Sequence, residues 1–239
     1  MLQFYAMYHS VQEGRRPVVF LKTAKTGGTS IIELFKRNRP NLLCCSWKDE
    51  IPDKSSSLDT DVVVLANAPA ITHFKRLHSQ FFEEAIKITV VRNPLTRVLS
   101  SYNYLNSDTP LIQLLQNPPL PRRDSGTDRE TYDHDHVHFT VQQIDAMAGR
   151  MGLLEDSSYH FLEFSNLASE VGGLFGMLGF KERTIKWLNR SVPKKKTLSL
   201  SEARLARLRF VDDFAFYRKF KHSRLVSGCG SPSCDGVPA

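Results

Sequence analysis

Cysteine is scarce. The chain has four in 239 residues, Cys44 and Cys45 side by side and Cys229 and Cys234 near the C-terminus. None of them forms a C-x-x-C pair, which excludes zinc-ribbon and thioredoxin-type motifs. A Cys229–Cys234 bridge and free thiols both stay open, so the redox compartment is undecided. Long apolar runs are also missing, and nothing approaches the ~20 residues a membrane-crossing helix needs. The opening MLQFYAMYHSVQEGRR lacks a basic stretch followed by a continuous apolar one, so it does not read as a secretory leader. The chain as given is expected to be soluble, either cytoplasmic or a lumenal domain without its anchor. No internal repeat is visible, which excludes a solenoid. The basic residues are not interleaved with aromatics, as a nucleic-acid stacking platform would require.

What is present is an ordinary globular composition with a basic balance. Lys and Arg number 32 against 25 Asp and Glu, a net charge of +7, and 41% of residues are hydrophobic. That charge favours an anionic partner such as a nucleotide or an acidic glycan, although a basic soluble surface would look the same. Short apolar runs at 18–21, 42–47, 62–65 and 86–91 read as strands. Amphipathic segments at 29–37, 72–85 and 94–105 read as helices between or after them. Such alternation predicts an α/β fold with a central, mainly parallel sheet flanked by helices. Further helices are expected at 139–149, 165–177, 199–209 and 212–220, with a short amphipathic piece at 181–189. The Pro-, Arg- and Asp-rich stretch 117–135 reads as a surface loop. One domain over 1–226 and a disordered Gly/Ser/Pro-rich tail over 227–239 are expected.

Two segments carry chemistry. The first is Lys25-Thr26-Gly27-Gly28-Thr29-Ser30, between the first strand and the first helix. Glycines let backbone N–H groups approach a ligand, and a helix N-terminus favours an anion. Thr29 or Ser30 is a possible cap. The lysine precedes both glycines, whereas an ATP- or GTP-binding loop places it after the last one. The second is Val90-Val91-Arg92-Asn93-Pro94-Leu95-Thr96-Arg97-Val98-Leu99-Ser100. Arg92 leaves the carboxyl end of a strand, where α/β proteins bind ligands. Ser100 follows it by eight residues on the next helix. An arginine fork and a hydroxyl suit a second phosphate. Arg97 reads as a solvated helix residue, and Tyr102 and Tyr104 as residues that line the site or pack in the core, the core reading being favoured.

Together, KTGGTS and VRNPLTRVLSSYNY resemble the sulfotransferases that use 3′-phosphoadenosine 5′-phosphosulfate (PAPS). The nearest likeness is to the carbohydrate branch, including heparan 2-O- and galactose 3-O-sulfotransferases. The resemblance spans roughly residues 17–220. It implies a three-layer, P-loop-like sulfotransferase fold with PAPS as co-substrate and no required metal. Lys25, Thr26, Gly27, Gly28, Thr29 and Ser30 would then hold the 5′-phosphosulfate, and Arg92 and Ser100 the 3′-phosphate. Lys195, in the run Lys194-Lys195-Lys196, falls where relatives close a loop over the nucleotide and would bind it there; a solvated basic loop is the alternative. Sulfuryl transfer is expected to a carbohydrate hydroxyl. A small-molecule or natural-product O- or N-sulfotransferase and a catalytically inactive nucleotide-binding homologue are the alternatives. By the same likeness the compartment would be the cytoplasm or the Golgi lumen.

In the scheme the resemblance implies, an acceptor attacks sulfur in line and charge grows on the bridging oxygen. Lys25 is the residue expected to stabilise that charge. The base for the acceptor is where this sequence departs from its relatives. Asn67 stands near the place of their histidine after the third strand, and Ala24 near another. Replacements are His73, His78, Asp49 and Glu50, with Asn67, Asp49 and Glu50 on the acceptor side. Asp133-His134-Asp135-His136-Val137-His138 puts three histidines on one face if extended. That pattern suits Zn or Ni, or a polar loop touching an anionic acceptor.

Overall fold

The computed structural model describes residues 16–46, 50–53, 58–66, 68–105, 107–118, 122–123, 130–131, 138–139, 142–144, 158–188, 195 and 197–228. The chain runs β1 (Val18–Leu21), α1 (Gly28–Asn38), β2 (Leu43–Cys45), β3 (Val62–Leu65), α2 (Ala68–Leu77), α3 (Ser79–Glu84), β4 (Ile86–Val91) and α4 (Pro94–Leu105). It continues with α5 (Leu111–Gln116), β5 (Arg122–Arg123), β6 (Glu130–Thr131), β7 (Tyr159–Glu163), α6 (Leu167–Met177), α7 (Leu200–Arg209) and α8 (Val211–Gly228).

Five strands form one sheet in the order β2-β3-β1-β4-β7, and every pairing in it is parallel. β1 and β3 are buried along their whole length, as parallel strands covered on both faces must be. On one face Val18, Phe20, Val62 and Val64 pack with Ile31 and Phe35 of α1 and Phe175 of α6. On the other, Val19, Leu21, Val63 and Leu65 pack with Ile71 and Phe74 of α2 and with Phe82 of α3. This is the expected α/β architecture, helices on both faces of a parallel sheet. No described helix is long and apolar enough to cross a membrane.

Several local expectations fail for identifiable reasons. The helix expected over 72–85 is two, beginning at Ala68 and broken at His78. The buried His78 leaves helical geometry and places Nε2 2.9 Å from the Pro52 carbonyl. It is therefore a structural histidine that pins the 50–53 segment. β7 was not expected at all. Tyr159-His160-Phe161-Leu162-Glu163 has no β-branched residue, yet it pairs in full register with β4, from Lys87↔Tyr159 to Val91↔Glu163. Residues 181–188 form no helix. They run beside α1, where Asn38 Nδ2 donates to the Glu182 carbonyl at 2.9 Å and Arg37 Nη2 to the Thr184 carbonyl at 3.1 Å. β5 and β6 pair antiparallel inside the stretch expected to be loop. α7 starts as expected, on Ser199, in a full capping box with Glu202. α8 runs on to Gly228, past Phe220. Of the helix expected over 139–149, residues 142–144 are not helical and most of the rest lies outside the described residues. Cys44 and Cys45 are free thiols; Cys229 and Cys234 lie outside the described residues.

Arg97 is not solvated. Its side chain is 2% exposed, and Nη2 lies 3.2 Å from Asp213 Oδ2, tying α4 to α8. Asp213 also accepts from the Ile144 N–H at 3.0 Å. Removing one member of a buried pair leaves a charge without its counter-ion. Asp213→Ala is therefore expected to lower unfolding free energy by about 3–5 kcal/mol, read from urea titration, and Arg97→Met by less.

Candidate functional site

The site is built where β1 and β4, neighbours in the sheet, both end at its carboxyl edge. After Leu21 the chain turns tightly. Thr23 Oγ1 donates to Thr26 Oγ1 at 2.8 Å, and Thr26 Oγ1 donates to the Thr23 carbonyl at 3.0 Å. Both hydroxyls are buried, so Thr26 can offer a ligand only its backbone. Lys25 has φ 60, and among the described residues it is the one non-glycine with positive φ. That is a strained conformation for a residue with a Cβ. Gly27, also left-handed at φ 80, occupies the N-cap of α1 with no side-chain cap. The hydroxyls expected to cap α1 do other work: Ser30 Oγ is buried and accepts from the Leu188 N–H at 2.9 Å. Thr29 is exposed. The N–H groups of Gly28 and Thr29 belong to the first turn, which the helix cannot pair itself.

The two glycines are demanded by the protein's own packing. A Cβ on Gly27 would sit 3.0 Å from Leu167 Cδ2 and 3.3 Å from Phe164 Cε2. One on Gly28 would sit 2.7 Å from Lys22 Cγ, because the lysine stem lies across the start of α1. Gly27→Ala combines a left-handed φ with two rigid neighbours, whereas Gly28→Ala forces the stem of Lys22 to move from Cγ onward. Both substitutions should therefore lower the thermal midpoint, Gly27→Ala by more. Paired melting curves check this.

Arg92 joins the second segment to the first. Its Nη1 donates to the Lys25 carbonyl at 2.7 Å and its Nε to Thr96 Oγ1 at 3.3 Å. The guanidinium lies 4.0 Å from the centroid of the Phe164 ring, which also borders Gly27. Its backbone is clamped by the buried Gln143, which accepts from the Arg92 N–H at 2.9 Å and donates to its carbonyl at 2.8 Å. Lys25 Nζ stands 3.5 Å from the centroid of the Tyr104 ring. Burial, and then repulsion from Arg92, push the Lys25 ammonium down to about 8. Burial, and then Arg97, push Arg92 down to about 10. A half-buried ammonium repelled by a neighbouring guanidinium makes a place that would gain stability from an anion.

One face of α4 completes the site. The Ser100 hydroxyl is half-buried and has no partner among the described residues. Asn103 holds the backbone of Lys195, accepting from its N–H at 3.0 Å and donating to its carbonyl at 3.1 Å. The Lys195 ammonium is spent on Glu202, at 2.6 and 2.7 Å from its two carboxylate oxygens. Tyr104 is 47% exposed and carries the Lys25 ammonium, so it is a site residue rather than core. Tyr102 packs against the cluster around Val98 and Phe210.

The acceptor-side residues are more scattered. His73, on α2, accepts at Nδ1 from Arg76 Nη2 at 3.2 Å, and that engagement occupies a lone pair a base would need. Glu50 lies beyond the carboxyl end of β2. Its carboxylate accepts from the Ser46 N–H, and its carbonyl takes a 3.4 Å contact from Cys45 Sγ. Burial raises the Cys44 thiol, while Lys36 and Lys22 lower it and Glu50 raises it further, so Lys22 and Glu50 both lie near it. Asp49 and Asn67 lie outside the described residues, as do 133–137. His138 is buried against Tyr104. Among the described residues, no three His, Cys, Asp or Glu side chains group as metal ligands. Gln143 and Phe164 had no legible signal as site residues in the sequence, whereas His138 had one as the last of the three histidines in 133–138.

The fold is an α/β one, with Lys25 and Arg92 side by side at the carboxyl edge of its parallel sheet. The profile of the sulfotransferase family matches residues 8–167, and the chain belongs to that family. A crystal structure of a sulfotransferase from Alicyclobacillus acidocaldarius is similar in fold, with a TM-score of 0.50 and 11% identity over 87% of this chain and 96% of that one. A mouse sulfotransferase complexed with PAP aligns at TM-score 0.41 and 14% identity, over 83% of this chain and 66% of its own. No curated protein matches the sequence.

Proposed function

We propose that the protein transfers a sulfuryl group from PAPS to a carbohydrate hydroxyl. The observation that carries this reading is the 2.7 Å bond from Arg92 to the Lys25 carbonyl, which fuses two anion-binding segments into one clamp. When bound, PAPS supplies the activated sulfuryl group. On the 5′ side, Lys25, the N–H groups of Gly27, Gly28 and Thr29, and the Thr29 hydroxyl surround the phosphosulfate; Thr26 and Ser30 hold that turn in shape. On the other side, Arg92 and Ser100 take the 3′-phosphate, with Lys195 bordering it if its ammonium leaves Glu202. Lys25 stabilises charge on the bridging oxygen. Glu50 is better placed than His73 to take the acceptor proton, since its carboxylate is exposed at the sheet's carboxyl edge; Asp49 and Asn67 are proposed to orient the acceptor.

The test is a labelled-sulfate transfer screen from PAPS across glycans and small-molecule hydroxyls and amines, beside calorimetric titration with adenosine 3′,5′-bisphosphate. Transfer to glycans supports the reading, and transfer confined to small molecules replaces its acceptor. Bisphosphate binding without transfer to any acceptor would identify an inactive homologue.

The Lys25 titration gives a pH signature. Folding lowers this ammonium from 10.5 to about 8, so between those values the unfolded chain holds the proton and the native one does not. Stability therefore rises with pH through that window and is diminished below it. An anion on Lys25 reverses the preference. Bisphosphate affinity should fall as pH rises past about 8, with proton uptake on binding. Calorimetry in buffers of different ionisation enthalpy measures both.

A further inference from the structure

We propose that His138 and Tyr104 are positioning residues for Lys25, a function nothing in the Lys25 turn itself provides. The Lys25 side chain is four flexible carbons on a strained turn, and its ammonium needs a defined place. That place is the face of Tyr104, 3.5 Å from ring centroid to Nζ. Nearly half exposed, a tyrosine ring on α4 has no inherent reason to stay put. His138 supplies one. Its ring packs on Tyr104 at a centroid distance of 5.6 Å and an interplanar angle of 56°. His138 is itself anchored twice. Its Nδ1 lies 3.2 Å from Oγ of the buried Ser101 on α4, and it is 6% exposed. The next residue, Phe139, is fully buried among Val98, Leu111 and Phe210. A core phenylalanine thus fixes a histidine, the histidine braces a tyrosine, and the tyrosine presents the lysine. This is the described end of the Asp133–His138 segment, and it serves as a brace.

The proposal rests on the sulfuryl-transfer reading for its kinetic test, but it also has a test that needs no donor. Kinetically, Tyr104→Phe and His138→Phe keep the stacked rings and should stay within about three-fold of wild type in kcat. Tyr104→Leu and His138→Ala should lose about ten-fold in kcat, an amount typical of a cation–π contact, with a smaller change in bisphosphate affinity. The double variant His138→Ala/Tyr104→Leu should be no worse than Tyr104→Leu, because both act through one ring. Independently, trinitrobenzenesulfonate labelling of Lys25 against pH, read by peptide mass spectrometry, should show its midpoint near 8 in wild type. The midpoint should move in Tyr104→Leu and His138→Ala, as the ammonium exchanges the ring face for water, and not in the two Phe variants. If His138→Phe is as impaired as His138→Ala, or the double variant is additive, or the labelling midpoint stays put, the brace is wrong. If wild type neither binds bisphosphate nor transfers sulfuryl, the enzymatic reading fails, and labelling alone still decides the brace.

Discussion

Lys25→Ala is expected to lower the rate of sulfuryl transfer by about 10²–10³-fold, the usual effect of removing one group that stabilises charge developing in a transition state. The fold should survive unharmed. The Lys25 ammonium is half-desolvated and repelled by Arg92, so it costs stability in the free protein. Deleting it removes that cost, and the urea midpoint at neutral pH should hold or rise while activity collapses. Such opposition of stability and activity is the mark of a group kept for function. Lys25→Arg should not rescue. The guanidinium is planar and larger, and the ammonium sits 3.5 Å from a ring centroid, where a compact point charge fits. Initial rates with labelled PAPS and equilibrium unfolding, measured on the same samples, check both signs.

Arg92→Lys is expected to weaken bisphosphate binding by about 100-fold, near 2.7 kcal/mol. The guanidinium does three things at once: it bonds the Lys25 carbonyl at 2.7 Å and Thr96 Oγ1 at 3.3 Å, and it stacks on Phe164 at 4.0 Å. A lysine cannot reproduce a planar fork of donors. Arg92→Met should do the same to affinity and also raise the Lys25 ammonium, because its repelling neighbour is gone. The alkaline limb of the binding profile should then move to higher pH. A loss of affinity without that shift would mean that the two cations do not share one site. Isothermal titration across pH gives both quantities from one series.

Much of the scaffold was legible because it is written locally. Val18–Leu21, Val62–Leu65 and Ile86–Val91 are short apolar runs that only a doubly covered parallel sheet accommodates. The Ser199 cap announced α7 three residues before Glu202 confirmed it. β7 escaped because an aromatic-rich edge strand carrying His160 and Glu163 has a weak pattern. Tyr104 and Arg97 were misplaced for the same physical reason. Helical periodicity tells which residues share a face, but not what lies opposite it. Opposite Arg97 stands Asp213, more than a hundred residues later, and opposite Tyr104 stands Lys25.

By itself, the sequence determined the α/β class, the two segments proposed to hold anions and the likeness to sulfotransferases, since each depends on residues within a dozen positions of one another. Tertiary structure alone decided why Gly27 and Gly28 must be glycine, what clamps Arg92, and what the Lys25 ammonium rests on. Phe164, Leu167, Gln143, Tyr104 and His138 reach those places only because β7 joins the sheet beside β4 and α4 lies across its carboxyl edge. Strand order and helix packing arise from the global burial of apolar surface, and no local pattern encodes them.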